Sequence, residues 1–395
     1  MLTIKLHPAI KHLSETQLEE LMAEYYDGDY TVTILMKKFK IKAHSSQLVS
    51  FFPPLVLEEE SEYCKKPLLK NRPSRTGYSS LQPFCPVCNH VVGQSYCRCQ
   101  NCQKEYVDQK LHQAEKESIQ TEEKRLAIKK AYDPNLFQKV EEQNLTLFQR
   151  ISLAALLRLG LDEEGKVIHP PIGYLKKLTP EPDLSGALLL ALTKTNIIIP
   201  DIHSSIDAFE DGDQFPTSFR IFYVSYYLNL APEDGDTAAM FKRLMMPDPT
   251  LYNEKKDICF GIWKEIAMSE VLEYLNYSIE KIGFELNPGK KTMAIITSLL
   301  EDYSVSQLYS IIYRSIANTA KYYQENKITR KHAGNMVVTH IQRYGERAKA
   351  EGWEIKGFSC NYNLPQTVIS EIFFNRILNI GSLGFEMPPT KDRKK

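Results

Sequence analysis

Long apolar runs are missing from this 395-residue chain. The strongest of them, residues 184–192, is far short of the about 20 residues that a membrane span needs, and residues 1–13 hold no apolar signal-peptide core. No membrane partner is expected, and the expected compartment is the cytoplasm. Net charge is missing too. Lys plus Arg number 49 and Asp plus Glu number 49, which excludes a polybasic sleeve or an acidic tail spread along the chain. Any electrostatic footprint must be local. No period of about 20 to 50 residues repeats, so a solenoid is not supported.

Enzyme signatures fail on their spacing. The stretch from Gly283 to Thr292 has five residues rather than four between Gly283 and Gly289, an extra Lys before Thr292 and no strand ahead of it, so it does not read as a phosphate loop. Asp211, Asp213, Asp234 and Asp236 sit in acidic turns without the Glu that ends a twelve-residue calcium loop, which leaves metal-dependent nuclease chemistry little support. Cys360 stands alone after a Gly-Phe turn, a place where cysteine packs more often than it attacks. No triad or carboxylate pair passes, and the enzyme question leans to no, with an unrecognised nuclease-like site as the remote alternative.

What is present is an ordinary globular mixture, 43% hydrophobic and 25% charged, long enough for two to four domains. The expected fold class is mainly α and multidomain: a helical N-terminal unit at 1–60, a Pro-rich linker at 61–83, a small β module at 84–107, a solvated helical connector at 108–143, and a mostly helical body at 144–390 with one or two strands. In the body, helical periodicity covers residues 145–159, 184–192, 263–282, 292–300, 304–324 and 330–350. The β-branched and aromatic runs at 197–199 and 220–228 are the candidate strands. Residues 363–374 read as a closing helix, and the basic end at 390–395 is expected to fray.

Five of the eight cysteines fall within eighteen residues, and this is the strongest signal. Cys85 and Cys88 form one CxxC pair, Cys99 and Cys102 another, ten residues further on. Two residues between paired cysteines let both sulfurs reach one ion, and four thiolates make a closed tetrahedral Zn²⁺ site with a structural role. Cys85, Cys88, Cys99 and Cys102 are the expected ligands, while Cys97 and His90 lie close enough to leave their part open. A segment of about twenty residues buries no core, so metal would supply its folding free energy. These residues resemble the zinc-ribbon family, in which two knuckles cap short hairpins.

The N-terminal unit reads as three helices: residues 15–25, then 31–40 opened by Thr31, then 45–52 with Leu48, Phe51 and Phe52 buried. It resembles the helix-turn-helix family. The resemblance implies that His44, Ser45, Ser46 and Gln47 meet base edges while Lys37, Lys38, Lys40 and Lys42 touch phosphates. A helical docking unit is the equal alternative, since charge over 1–50 balances at six against six. In the body, residues 201–250 carry three basic against nine acidic residues, and residues 301–350 eight against four. Arg330, Lys331, Arg343 and Arg347 there are candidates for phosphate contact, with Tyr322, Tyr323, Tyr344 and Trp353 placed to stack on bases; a solvated helix face is the plainer reading.

The combination is similar to bacterial mobile-element and phage-defence proteins. The expectation is a zinc-containing nucleic-acid-binding protein, a DNA-binding regulator or a subunit of such a system, with DNA preferred over RNA and protein partners possible. The rival is a protein-interaction subunit whose zinc is structural and which touches no DNA.

Overall fold

The computed structural model describes residues 5–77, 81–94, 97–212, 214–250 and 255–391. Asp213 and the basic end at 392–395 lie outside the described residues. The chain divides into two compact units, Met1–Gln120 and Thr121–Lys395, and is mainly α.

In the first unit, α1 (Glu15–Asp27) opens with a capping box: Ser14 Oγ accepts from the Gln17 N–H, and Gln17 Oε1 accepts from the Ser14 N–H. It stops at Gly28, whose φ of 81° suits glycine. Helix α2 (Val32–Lys38) ends in a left-handed residue, Lys40, and the next N–H, that of Ile41, bonds back to the Met36 carbonyl at 2.8 Å. This is a Schellman ending with Lys where glycine is usual, and it turns Ile41 into the core. The third helix is shorter than its pattern predicts. A 3₁₀ turn, Ser45–Gln47, leads into α3 (Leu48–Phe51), and Pro53 and Pro54 end it. Ile10, Leu21, Leu35 and Leu48 are fully buried at the centre of this small core.

Residues 61–83 are not a free linker. Strand β1 (Leu55–Glu60) pairs antiparallel with β2 (Pro67–Lys70), Leu69 bridges Phe84, and Phe84 bridges Val91. The following segment is tied to the helices: Tyr26 Oη donates to the Pro73 carbonyl at 2.8 Å, Arg72 Nε to Pro53 at 2.9 Å, and an Arg75 guanidinium nitrogen to Tyr30 at 2.8 Å. Helix α4 (Gln100–Tyr132) is the solvated connector, starting earlier than its charge pattern predicts; only Ile128 in it is buried.

The second unit is a helical body. Helices α5 (Leu147–Gly160), α6 (Pro182–Thr193), α7 (Thr237–Met245), α8 (Lys256–Lys281), α9 (Lys290–Leu299), α10 (Val305–Glu325) and α11 (Arg330–Ala350) surround one apolar core. Trp263 of α8 is buried, its Nε1 donating to the Gly384 carbonyl at 3.2 Å. Helix α11 comes so close to its neighbours that a Cβ on Gly334 would stand 2.1 Å from the Glu285 carbonyl oxygen.

The body holds more strands than the one or two its sequence predicts, all of two or three residues. Strands β3 (Val140–Glu141) and β9 (Leu230–Ala231) run parallel; β4 (Val167–Ile168), β8 (Tyr226–Leu228) and β5 (Ile198–Pro200) form an antiparallel trio; β6 (Phe209–Glu210) pairs with β7 (Ser218–Phe219). The closing helix also departs from expectation. It begins at α12 (Val368–Ser370), widens into a π-helical stretch, Glu371–Ile377, and is followed by α13 (Leu383–Glu386).

Candidate metal centre

Two turns in the first unit are built alike. In the first, the Ser61 N–H bonds to the Lys66 carbonyl at 2.7 Å and the Lys65 N–H to the Ser61 carbonyl at 2.9 Å. In the second, the Cys85 N–H bonds to the His90 carbonyl at 2.8 Å and the Asn89 N–H to the Cys85 carbonyl at 2.9 Å. Lys65 and Asn89, the fifth residue of each, are both left-handed, with φ of 47° and 58°. Each is a knuckle at a hairpin tip, and Cys64 occupies in the first the place that Cys88 holds in the second.

The knuckles bring Cys64, Cys85 and Cys88 together, their sulfurs all within 4.8 Å of one another. A second group, His90, Cys97, Cys99 and Cys102, meets within the same limit. The structure therefore divides the four CxxC cysteines: Cys85 and Cys88 belong to one group, Cys99 and Cys102 to the other. The single four-cysteine site expected from spacing does not describe this arrangement. The physical reason is the hairpin pairing, which places Cys64 beside the first pair and turns His90 and Cys97 toward the second.

The second group is well supported. His90 Nδ1 lies 3.1 Å from Cys102 Sγ and 3.8 Å from Cys99 Sγ. Backbone N–H groups of Val91 and Cys102 point at the sulfurs of Cys97 and Cys99, at 3.5 and 3.4 Å, the donor pattern that stabilises thiolates. Tyr63, from the first knuckle, packs edge-on against the His90 ring at 4.9 Å and donates to Glu105 at 2.6 Å. Cys102 lies in the first turn of α4, so the long helix is anchored at this cluster.

Within each group one thiol is made acidic and another reluctant. Backbone N–H groups of Cys99 and Val91 pull Cys97 down to about 6. Burial alone would raise Cys85, but bonds from the Ser61 hydroxyl and the Cys88 and Val87 N–H groups prevail and hold it at about 6. Cys64, hydrogen-bonded to Cys88, and Cys102, desolvated by burial, are pushed up to about 11. Such proton sharing among crowded thiols is what a bound cation would relieve. Three sulfurs and one imidazole form a complete tetrahedral donor set, and this cluster can hold a metal ion.

Elsewhere the candidate residues are scattered. Lys37, Lys38, Lys40, Lys42, His44, Ser45, Ser46 and Gln47 are all exposed on the first unit. Lys38 is held by Glu20 and Glu24, whereas Lys37, Lys40 and Lys42 form no ion pair among the described residues. His44 caps the 3₁₀ turn, its Nδ1 2.7 Å from Ser46 Oγ. On α11, Arg330 and Lys331 stand 12 to 17 residues from Arg343 and Arg347, about 20 Å along a helix, and do not form one patch with them. Arg347 is bonded to Glu351 at 2.7 Å and lies over Trp353; Tyr344 takes a bond from Arg314. Tyr323 packs on Phe284.

The acidic turns are occupied internally: Asp236 caps α7 through the Ala238 and Ala239 N–H groups, Asp234 binds Arg243 at 2.7 Å, and Asp211 pairs with Lys124. Cys360 is exposed on one side and lines a cavity of about 370 Å³ with Glu270, Glu273 and Tyr309; partial desolvation at the cavity wall, with the charge of Glu270, raises its thiol. No helix among the described residues is long and apolar enough to cross a membrane. No family model, curated protein or solved structure matches this chain.

Proposed function

We propose that this chain is a zinc-containing nucleic-acid-binding protein that grips duplex DNA through its N-terminal helical unit, as a regulator or as a subunit of a larger nucleoprotein system. The observation that carries the reading is a one-signed surface. Between Tyr30 and Leu57 the sequence holds four Lys and no Asp or Glu, while Leu35, Met36, Phe39, Ile41 and Leu48 of the same stretch are buried. The cations are thereby left outside. Lys37, Lys40 and Lys42 lead directly into the exposed His44, Ser45, Ser46 and Gln47 at a helix start, an arrangement suited to phosphate contact followed by base readout. Lys38, neutralised by two glutamates, is the weakest of the group.

Zinc is the metal that the Cys₃His donor set fits best among common cellular ions, and a closed set of four gives it a structural role. Its part is to fasten the start of α4 to the second knuckle, in a module bonded to the helical unit through Arg72, Tyr26 and Arg75.

The test is binding of the zinc-loaded full chain to duplex DNA, single-stranded DNA and structured RNA across a salt series. A duplex preference is expected, with a log–log salt slope that falls by about 0.9 for each phosphate contact removed in Lys37→Glu, Lys40→Glu and Lys42→Glu. Gln47→Ala should flatten any sequence preference with little change in slope. Absence of binding at low salt to every probe defeats the reading. A specific feature then favours protein docking: Val107, Leu111, Ile119 and Leu126 of α4 are each more than half exposed.

A further inference from the structure

We infer that the chain takes two zinc ions of unequal hold: one closed in by His90, Cys97, Cys99 and Cys102, and a second, exchangeable one on Cys64, Cys85 and Cys88, with Ser61 standing at its fourth corner.

Four observations converge on the second site. The knuckles 61–66 and 85–90 share the same pair of backbone hydrogen bonds and the same left-handed fifth residue. Position by position, Cys64 matches Cys88 and Ser61 matches Cys85, so a complete ribbon would carry cysteine at 61. The three sulfurs lie within 4.8 Å of one another, close enough to share an ion. Finally, Ser61 is buried, with only 1% of its surface exposed, in a turn whose Glu62, Lys65 and Lys66 are exposed and whose Tyr63 is half-buried. A serine facing solvent would have no bearing on the sulfurs. This one is sealed in beside them, its Oγ accepting from the Cys64 N–H at 3.5 Å.

The chemistry of that substitution sets the rank. A neutral hydroxyl is a far poorer zinc ligand than a thiolate, and its shorter side chain reaches less far from the backbone. Three thiolates therefore hold the ion, and the fourth position is filled by the weakly bound hydroxyl or by water. An open position is what lets a competing ligand enter and the metal leave. The other cluster has four strong donors, with Cys102 in the first turn of a 33-residue helix, and no such opening. The ribbon ion is the one that responds to the zinc supply. Its loss would slacken the hairpin while the anchored cluster stays formed.

The experiment uses the full chain loaded with zinc. Metal content is read by native mass spectrometry, and release by a chromophoric zinc chelator is followed in time. Two ions per chain are expected, leaving in two phases with rates at least ten-fold apart. Cys88→Ser should remove the fast phase and one ion, Cys97→Ser should disturb the slow phase, and Ser61→Cys should slow the fast phase by ten-fold or more. A single ion at saturating zinc overturns the inference, as does a fast phase that survives Cys88→Ser or is unaltered in Ser61→Cys. Since Ser61→Cys adds a ligand and keeps the hairpin, its outcome does not depend on a variant that fails to fold.

Discussion

His90 serves Cys102 with its side chain and Cys85 with its main chain: Nδ1 lies 3.1 Å from the Cys102 sulfur, and the carbonyl accepts the Cys85 N–H at 2.8 Å. One residue thus closes the second knuckle and supplies the imidazole nitrogen of the neighbouring cluster. His90→Ala keeps the carbonyl and removes the imidazole, leaving three thiolates. The full chain should then lose zinc from that cluster to a chelator at least ten-fold faster, while His90→Cys, with four donors restored, should hold it. Equal retention by His90→Ala and the natural chain would remove His90 from the ligand set.

Metal removal should be felt locally. The hairpin module buries little apolar surface, with Leu68 and Leu69 its main contribution, so its order depends on the ions. After exhaustive chelation, amide exchange should rise sharply over residues 55–107. The helices at Lys256–Lys281 and Val305–Glu325, with their own apolar core, should keep their protection. Uniform loss across both units would contradict the independence of the two cores.

The larger elements were legible because burial writes a period into sequence. The predicted helix at 330–350 coincides with Arg330–Ala350, and those at 304–324 and 292–300 are off by one or two residues. Strands of two or three residues leave no alternation to read, which is why β3, β4, β6, β7 and β9 were invisible. The run 220–228 overstated its strand, since Arg220 to Val224 forms a turn and only Tyr226–Leu228 pairs. At the metal centre, the four CxxC cysteines fall within the two clusters, but their spacing did not reveal the grouping or the presence of Cys64 in one cluster and of Cys97 and His90 in the other. Cys64 looks isolated until Ser61 is recognised as the first residue of a knuckle that has serine where the other has Cys85. The parallel of Ser-x₂-Cys-Lys-Lys with Cys-x₂-Cys-Asn-His was the available signal.

A buried carboxylate in the second unit makes a sharp stability test. Glu142 is fully buried, and Arg243 holds it with two bonds, at 2.9 and 2.7 Å, while also binding Asp234 at 2.7 Å. The guanidinium keeps the Glu142 carboxyl below its usual range. Arg243→Leu leaves the buried charge with one long bond, from the Glu233 N–H at 3.3 Å, and should cost about 3 kcal/mol in denaturant unfolding. Adding Glu142→Gln should recover part of that loss, because the stranded charge is then gone. A double variant no more stable than Arg243→Leu alone would show that packing, not charge, carries the effect.

Two glycines of α11 differ in what surrounds them. A Cβ on Gly334 would meet backbone, the Glu285 carbonyl oxygen at 2.1 Å and its carbon at 2.8 Å. On Gly345 it would meet the tip of Leu299, 2.5 Å away, which can rotate aside. Helix propensity favours alanine at both by about 1 kcal/mol, so steric cost decides. Gly334→Ala should destabilise by about 2 to 3 kcal/mol and Gly345→Ala by clearly less. A reversed order in denaturation midpoints would mean that the 285 loop yields more easily than Leu299.

Glu270 gives the body a pH dependence of definite sign. Its Oε1 accepts from Ser370 at 2.8 Å, but Oε2 is buried without a hydrogen-bond partner among the described residues, at the edge of the cavity that Tyr309 and Cys360 also line. Burial pushes the carboxyl up to about 7 from an ordinary 4.5, against the lowering effect of Ser370. The folded chain therefore holds a proton that the unfolded chain has released between those two values. Its contribution to stability is intact below about 4.5 and falls as pH rises to about 7, by up to about 3 kcal/mol, then levels off. Glu270→Gln cannot ionise. The unfolding free energy of the natural chain minus that of the variant should decline across this window and stay flat above it. A difference that rises with pH would mean the carboxylate is stabilised in the fold, and would place a cation or a second donor on Oε2.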